Sequence, residues 1–160
     1  MNKCIFVCHC VLDPVTRAEG TNPISRNIVK VLVDKDIGII QLVCPELEYE
    51  GFSRPPCNKE DYDTGEYREL CREIAVNIVD TIKMYRNAGV QILGLISIGG
   101  SPSCGCQRTH VKGEHVAEPG VFIEELQNVL QEQGIKLKIV DHELLQTESA
   151  VNKFLSNRLE

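Results

Sequence analysis

Short apolar runs alternate along this chain with longer stretches in which apolar residues recur every three or four positions. The runs KCIFVCHC (3–10), IGIIQLV (37–43), VQILGLISI (90–98) and KLKIV (136–140) are rich in β-branched residues, and the second and third are almost wholly apolar. Strands of that kind suit a sheet covered on both faces. Helical spacing follows each of them. Asn22 and Pro23 read as N-cap and first residue of a helix with Ile24, Ile28, Val31 and Leu32 on one face. Asp63 and Glu66 have capping-box spacing ahead of Leu70, Cys71, Ile74, Ala75, Ile78, Val79 and Ile82. Pro119 opens a third helix carrying Val121, Phe122, Leu126, Val129 and Leu130, and Gly134 closes it. A fourth runs from about Glu143, with Leu144, Leu145, Val151, Phe154 and Leu155 as its apolar face.

Strand and helix alternating four times predict βαβ units with right-handed crossovers. The expected fold is α/β: a single-domain, Rossmann-like (flavodoxin-like) three-layer sandwich over residues 1–160, with a parallel sheet of about four strands in the order 2-1-3-4. Residues 44–63 and 99–118 show neither periodicity and read as irregular loops.

The net charge of −6 argues against direct nucleic-acid binding, which wants clustered Lys and Arg. No apolar run approaches the roughly 20 residues that span a bilayer. The start, MNKCIFVCHCVLD, reads as a first strand because His9 and Asp13 interrupt its apolar stretch. A cytoplasmic protein without a membrane partner, monomeric or homodimeric, is the expectation. Eight cysteines, at 4, 8, 10, 44, 57, 71, 104 and 106, change that ordinary picture. In such a compartment metal, cluster or thiol chemistry explains them better than disulfides do.

Three of these thiols fall at strand ends. Cys10 closes the first run, Cys44 follows the second in LVCPE, and Cys104 lies just past the third in SPSCG. In open parallel sheets ligands sit beyond the carboxyl ends of the strands, so the three are expected to converge there. Structural zinc prefers four ligands, often in CxxC pairs, and none occurs here. An iron–sulfur cluster is held by thiolates, usually four, and three would leave one iron with an open, Lewis-acidic position.

FVCHCVLD, LVCPE and SPSCG, in this order and followed by GVFIEELQNVLQEQGIKLKIVDHEL, resemble the 2-thiouracil desulfidase (TudS-type) family across nearly the whole chain. CPE and SPSCG are the specific parts. The resemblance implies a 4Fe–4S cluster bound by Cys10, Cys44 and Cys104, whose free iron takes sulfur from a small thiolated substrate such as a thiouracil-like nucleobase. It implies acid–base roles for Glu46 of CPE and Ser101 of SPSCG, and leaves the sulfur acceptor unknown. One motif departs from the family. CVLDPVTRAEG has Asp13 where the family has glycine and Thr16 where it has a second cysteine, while Arg17 and Gly20 match.

The other thiols read differently. Cys71 lies on an apolar helix face and Cys4 within the first strand, so both are expected in the core. Cys57 is loop-borne. Cys8 shares a face with Cys10 if the segment is extended, and Cys8 or Cys106 is a candidate fourth ligand or persulfide acceptor. His9, His110, His115 and His142 show no ligand spacing. Two alternatives stand beside the desulfidase: a sulfur-trafficking protein carrying cluster-bound sulfide, and a zinc or thiol redox-sensing module.

Overall fold

The computed structural model describes residues 2–157. In chain order its elements are β1 (Lys3–Val7), α1 (His9–Leu12), α2 (Asn27–Asp34), β2 (Gly38–Gln41), α3 (Pro45–Glu50), α4 (Lys59–Tyr62) and α5 (Gly65–Asn87). Then come β3 (Gln91–Ser97), β4 (Thr109–Val111), β5 (Glu114–Val116), α6 (Val121–Glu132), β6 (Ile139–Asp141) and α7 (Glu148–Ser156), with 3-10 turns at Pro14–Thr16 and His142–Leu145. Four strands form one parallel sheet in the order β2-β1-β3-β6. This is the expected order, and the α/β sandwich is as the hydrophobic pattern predicts.

The central strands explain themselves. Ile5, Phe6, Val7, Leu95 and Ile96 are nearly or wholly excluded from water, because β1 and β3 carry neighbours on both edges and helices on both faces. The long α5 puts Tyr67, Cys71, Ile74, Ala75, Ile78, Val79 and Ile82 into the core at three- and four-residue steps. Phe122, Ile123, Leu126 and Leu130 of α6 meet the same core. Burying each large side chain of these faces stabilises the fold by roughly 1.5–3 kcal/mol. No helix among the described residues is long and apolar enough to cross a membrane.

Several boundaries differ from the sequence pattern. The first strand stops at Val7 rather than at Cys10. The helix expected from Pro23 begins at Asn27, after an irregular stretch. Thr64, not Asp63, caps α5, its hydroxyl accepting from the Tyr67 amide. The capping box falls one element earlier, where Asn58 and Asp61 cap the start of the short α4. The last helix starts at Glu148 behind Thr147, with a 3-10 turn occupying 142–145. The segments read as irregular contain structure too short to show a period: α3 and α4 in the first, the antiparallel β4–β5 hairpin in the second.

An ion-pair network holds this upper layer together. Lys59, almost wholly buried, meets Glu118 at 3.0 Å and also Glu124. Arg68 spans Asp63, Glu124 and Glu125 at 2.6–2.9 Å. These pairs tie α4 and α5 to α6.

Candidate functional site

The site begins where β1 stops. The Cys8 amide donates to the Ile96 carbonyl at 2.9 Å, so residue 8 is still held against β3. The chain then turns into α1 because His9 is pinned to the β2 side: its Nδ1 lies 3.1 Å from the Leu42 carbonyl, and Gln41 donates to the His9 carbonyl at 2.9 Å. Cys10 therefore sits on a helical turn, not at a strand end. The extended alternation expected to put Cys8 and Cys10 on one face does not apply. Arg17, from the stretch after α1, points its Nη1 at Cys10 Sγ, 3.8 Å away.

Cys44 comes from the end of β2, which the Leu42 amide fastens to the Val7 carbonyl at 2.9 Å. It is the N-cap of α3, and its Sγ accepts from the Leu47 amide at 3.4 Å, with Pro45 as the first helical residue. Glu46 follows in the first turn and is buried. Its Oε1 accepts from Arg54 Nε at 3.3 Å and its Oε2 from Ser101 Oγ at 3.5 Å.

The third thiol arrives on the loop after β3. Ile98 donates to the Cys104 carbonyl at 3.1 Å, and Ser101 Oγ accepts from the amides of Ser103 and Cys104 at 3.3 and 3.0 Å. Ser101 thus joins the Glu46 carboxylate to the backbone of Cys104. Asp141, at the end of β6 and wholly buried, clamps the far side of the loop. It accepts from Ser97 Oγ, the Cys106 amide and the Gln107 amide at 2.7, 2.8 and 2.9 Å. Below the loop, Tyr67 Oη and Ser103 Oγ share a buried hydrogen bond of 2.6 Å.

The glycines of this loop serve its own closure. A Cβ on Gly105 would overlap the Arg108 carbonyl, and one on Gly99 the Glu143 carboxylate. Gly100 takes a φ of +84°, open to glycine at little cost. The bare backbone lets the loop fold against itself and admit the Arg108–Glu143 ion pair.

Four thiols share the space between these three segments. Burial pushes Cys10 up to about 12; Cys104 and Cys44 add to the rise, and Arg17 opposes it. Burial likewise takes Cys44 to about 12, with Cys104 adding and the Leu47 amide and Arg54 opposing. The neighbouring Cys8 thiol and burial raise the Cys104 thiol well above its ordinary value. For Cys8 the neighbouring Cys104 acts downward, but burial and the nearby Cys10 and Cys44 outweigh it. Without a cation these thiols stay protonated at neutral pH, because burial disfavours the thiolate and thiolates so close together repel one another.

The remaining cysteines lie apart. Cys106 turns its thiol toward the Ile139 carbonyl, 3.8 Å away, on the β6 side. Cys71 is in the core as expected, beside Tyr67, and of the four gathered thiols it lies near Cys104. Cys4 is in the core. Partly buried Cys57 faces the Pro55 carbonyl at 3.6 Å, near Glu50 and Tyr62. Among the described residues, no three His, Cys, Asp or Glu side chains are drawn together as a single metal ion requires. Ligands of a cluster each bind a different iron and are spread more widely than ligands of one ion.

Sequence reasoning missed Arg54, Asp141 and the Tyr67–Ser103 pair. Arg54 sits in GFSRPPC, which has no period to report its burial. A basic residue directly before a proline pair, within a thiol-bearing region, was the available signal. His142, at the end of the fourth strand, accepts from the Gly99 amide through Nδ1 at 3.3 Å, and burial lowers its pKa.

No family model matches the chain. The uncharacterized protein MJ0003 of Methanocaldococcus jannaschii is 32% identical over 145 residues, 91% of this chain and 83% of that protein. Among solved structures, a 4Fe-4S-dependent thiouracil desulfidase, TudS, aligns with a TM-score of 0.54 over 91% of this chain and 93% of its own. Its sequence identity is 21%, so the likeness is one of fold.

Proposed function

This chain belongs to one family with MJ0003 of Methanocaldococcus jannaschii, and from the fold it has in common with the thiouracil desulfidase we propose that it cleaves C–S bonds in the same way. In this reading residues 1–160 form one cytoplasmic desulfidase domain that removes sulfur from a thiolated nucleobase or similar small thiocarbonyl compound. The observation that carries the proposal is the gathering of Cys10, Cys44 and Cys104, from three separate segments of the chain, beside the hydrogen-bonded pair Glu46–Ser101.

The donor set fits a 4Fe–4S cluster. Its three thiols come from a helical turn, a helix N-cap and a loop, and two of the sulfurs already accept N–H donors, from Arg17 and the Leu47 amide. Such donors stabilise thiolate ligands and tune clusters. Binding a cationic core removes the mutual repulsion that otherwise keeps these thiols protonated. When bound by Cys10, Cys44 and Cys104, the cluster supplies a Lewis-acidic iron with an open position for the thiocarbonyl sulfur.

The chain's own residues supply the proton chemistry. Glu46 is the general base, taking a proton from the water that attacks the thiocarbonyl carbon. Arg54 holds the carboxylate from behind, and Ser101 orients it and relays the proton. Water contributes the oxygen of the product, sulfur leaves as sulfide, and no electrons are exchanged. The substrate is a small molecule; a macromolecular thiol acceptor is not required.

The test is anaerobic purification with iron and sulfide analysis, followed by assay of sulfide release from 2-thiouracil. About four irons and four sulfides per chain, lost on replacing any of Cys10, Cys44 or Cys104 by alanine, are expected. Glu46→Gln should keep the cluster and lose roughly 100-fold or more in rate. A cluster-free wild type, or a Glu46→Gln variant of full activity, defeats the proposal.

A further inference from the structure

An arginine drawn partly out of water normally finds an anion, because an unpaired ion loses hydration with nothing to offset it. Four arginines among the described residues are buried or half-buried: Arg17, Arg54, Arg68 and Arg108. Three of them lie against carboxylates. Arg54 meets Glu46 at 3.3 Å, Arg68 meets Glu125 at 2.9 Å, and Arg108 meets Glu143 at 2.6 Å. Arg17 forms no ion pair among the described residues; its side-chain partners are a thiol and a hydroxyl. Asp13, an acid on the same segment, faces His9 instead, at 3.7 Å.

The fold holds Arg17 at the site. Its amide closes the 3-10 turn on the Pro14 carbonyl at 3.3 Å, and buried Thr16 donates to the Asp13 carbonyl at 2.8 Å. Two residues on, the Glu19 amide donates to the Arg54 carbonyl at 3.0 Å, tying this stretch to the residue behind Glu46. The guanidinium is engaged along one edge. Nε donates to Thr21 Oγ1 at 3.2 Å, and Nη1 points at Cys10 Sγ, 3.8 Å away. Nη2 has no partner among the described residues. A permanent positive charge with a free donor therefore stands beside a proposed ligand thiol, only half-buried and open to a small molecule.

The desulfidase chemistry makes an anion for it. When water replaces sulfur on the thiocarbonyl carbon, the C–S bond breaks with both electrons on sulfur. One proton of the water passes to Glu46 and the other leaves with sulfur, so the departing species is hydrosulfide, with one negative charge. Arg54 is committed to Glu46, and the Cys10 sulfur, as a ligand, shares its own charge with iron. We propose that Arg17 is a further catalytic residue, which binds the substrate sulfur as its negative charge develops and then holds the hydrosulfide product. The inference rests on the desulfidase reading above. A donor already in place where charge appears lowers the barrier more than it tightens binding of the uncharged substrate.

The test compares the full chain as wild type, Arg17→Met and Arg17→Lys. Iron-free proteins are first unfolded in urea under reductant. Arg17→Met should unfold at the wild-type midpoint or above it, since the change strands no carboxylate. All three are then reconstituted anaerobically, and equal iron and sulfide contents are expected. Sodium hydrosulfide is titrated into each loaded protein and followed by visible absorption. Its affinity should fall about ten- to a hundred-fold in Arg17→Met, the range for losing a hydrogen bond to a charged group, and should be partly kept in Arg17→Lys. Single-turnover cleavage of 2-thiouracil should slow roughly 100-fold or more in Arg17→Met, at a half-saturating concentration near that of wild type. Undiminished hydrosulfide affinity in Arg17→Met overturns the proposal and leaves the desulfidase reading standing. A lower urea midpoint, failure to fold, or a lower iron content in that variant overturns it too, because Arg17 would then be a support for the segment or for Cys10. A wild type that takes up no cluster removes the desulfidase reading, and this proposal with it.

Discussion

Replacing Arg54 by methionine tests the arrangement around Glu46 without touching a thiol. Arg54 and Glu46 are 6% and 7% exposed, and one contact joins them, Nε to Oε1 at 3.3 Å. At an effective dielectric of about 20 that separation gives a gross attraction of about 5 kcal/mol. Much of it is offset by the desolvation of both groups, so the pair itself adds little net stability. Removing one partner is different, because the other charge stays buried without compensation, at a cost of about 3–5 kcal/mol. The low end applies here, since the contact is single and the Arg54 Nη1 goes elsewhere, to the Gly51 carbonyl at 3.4 Å. Arg54→Met should therefore cost about 3 kcal/mol, a drop of about 1.5 M in urea midpoint at a slope of about 2 kcal/mol per M. Glu46→Gln placed in the Arg54→Met background should restore at least about 1 kcal/mol, because the stranded charge is then gone. Equilibrium urea unfolding of the four proteins under reductant, all prepared without iron, supplies the cycle. A loss below about 1 kcal/mol for Arg54→Met, or no recovery in the double variant, would refute the account of Glu46 as a buried, paired carboxylate.

Three further outcomes follow from the same geometry. Asp141→Ala leaves the Cys106 and Gln107 amides without their acceptor; a loss of about 2–4 kcal/mol in thermal or urea unfolding is expected, with poorer iron uptake because the Cys104 loop is released. Cys106→Ala should leave iron and sulfide content at the wild-type level, since its thiol faces Ile139; a fall in either would place it in the site. Burial lowers the His142 pKa below 6.5, so the unfolded chain binds the proton first as pH falls. Stability is then full above that pH and declines below it, until the folded form protonates too. His142→Gln should flatten the decline measured between pH 7 and 5.5, and an unchanged slope would assign it elsewhere.

Much of the architecture is written in residue periodicity. Runs such as VQILGLISI, short and rich in β-branched residues, read as buried strands, and the three- and four-residue steps of α5 are one face of a helix, because burial follows the repeat of each element. Boundaries depend on more. Asp63 and Thr64 are both good caps, and only the turn before α5 decides that Thr64 reaches the Tyr67 amide. Segments of three or four residues, such as α1 or the β4–β5 hairpin, are too short to repeat a period visibly and leave no trace.

The cysteines mark the dividing line most plainly. Their number and three of their positions, just past successive apolar runs, point to one edge of the sheet from the amino acids alone. Cys8 and Cys106, however, are equivalent on the page, each two residues from a proposed ligand. Long-range hydrogen bonds separate them: Ile96 and Ile98 hold residue 8 against residue 104, while Asp141 draws the backbone of residue 106 toward β6. The bonds of Cys8 to Ile96 and of Cys106 to Asp141 join residues more than thirty positions apart, and a local pattern carries no information about which way a loop side chain points once such bonds have closed.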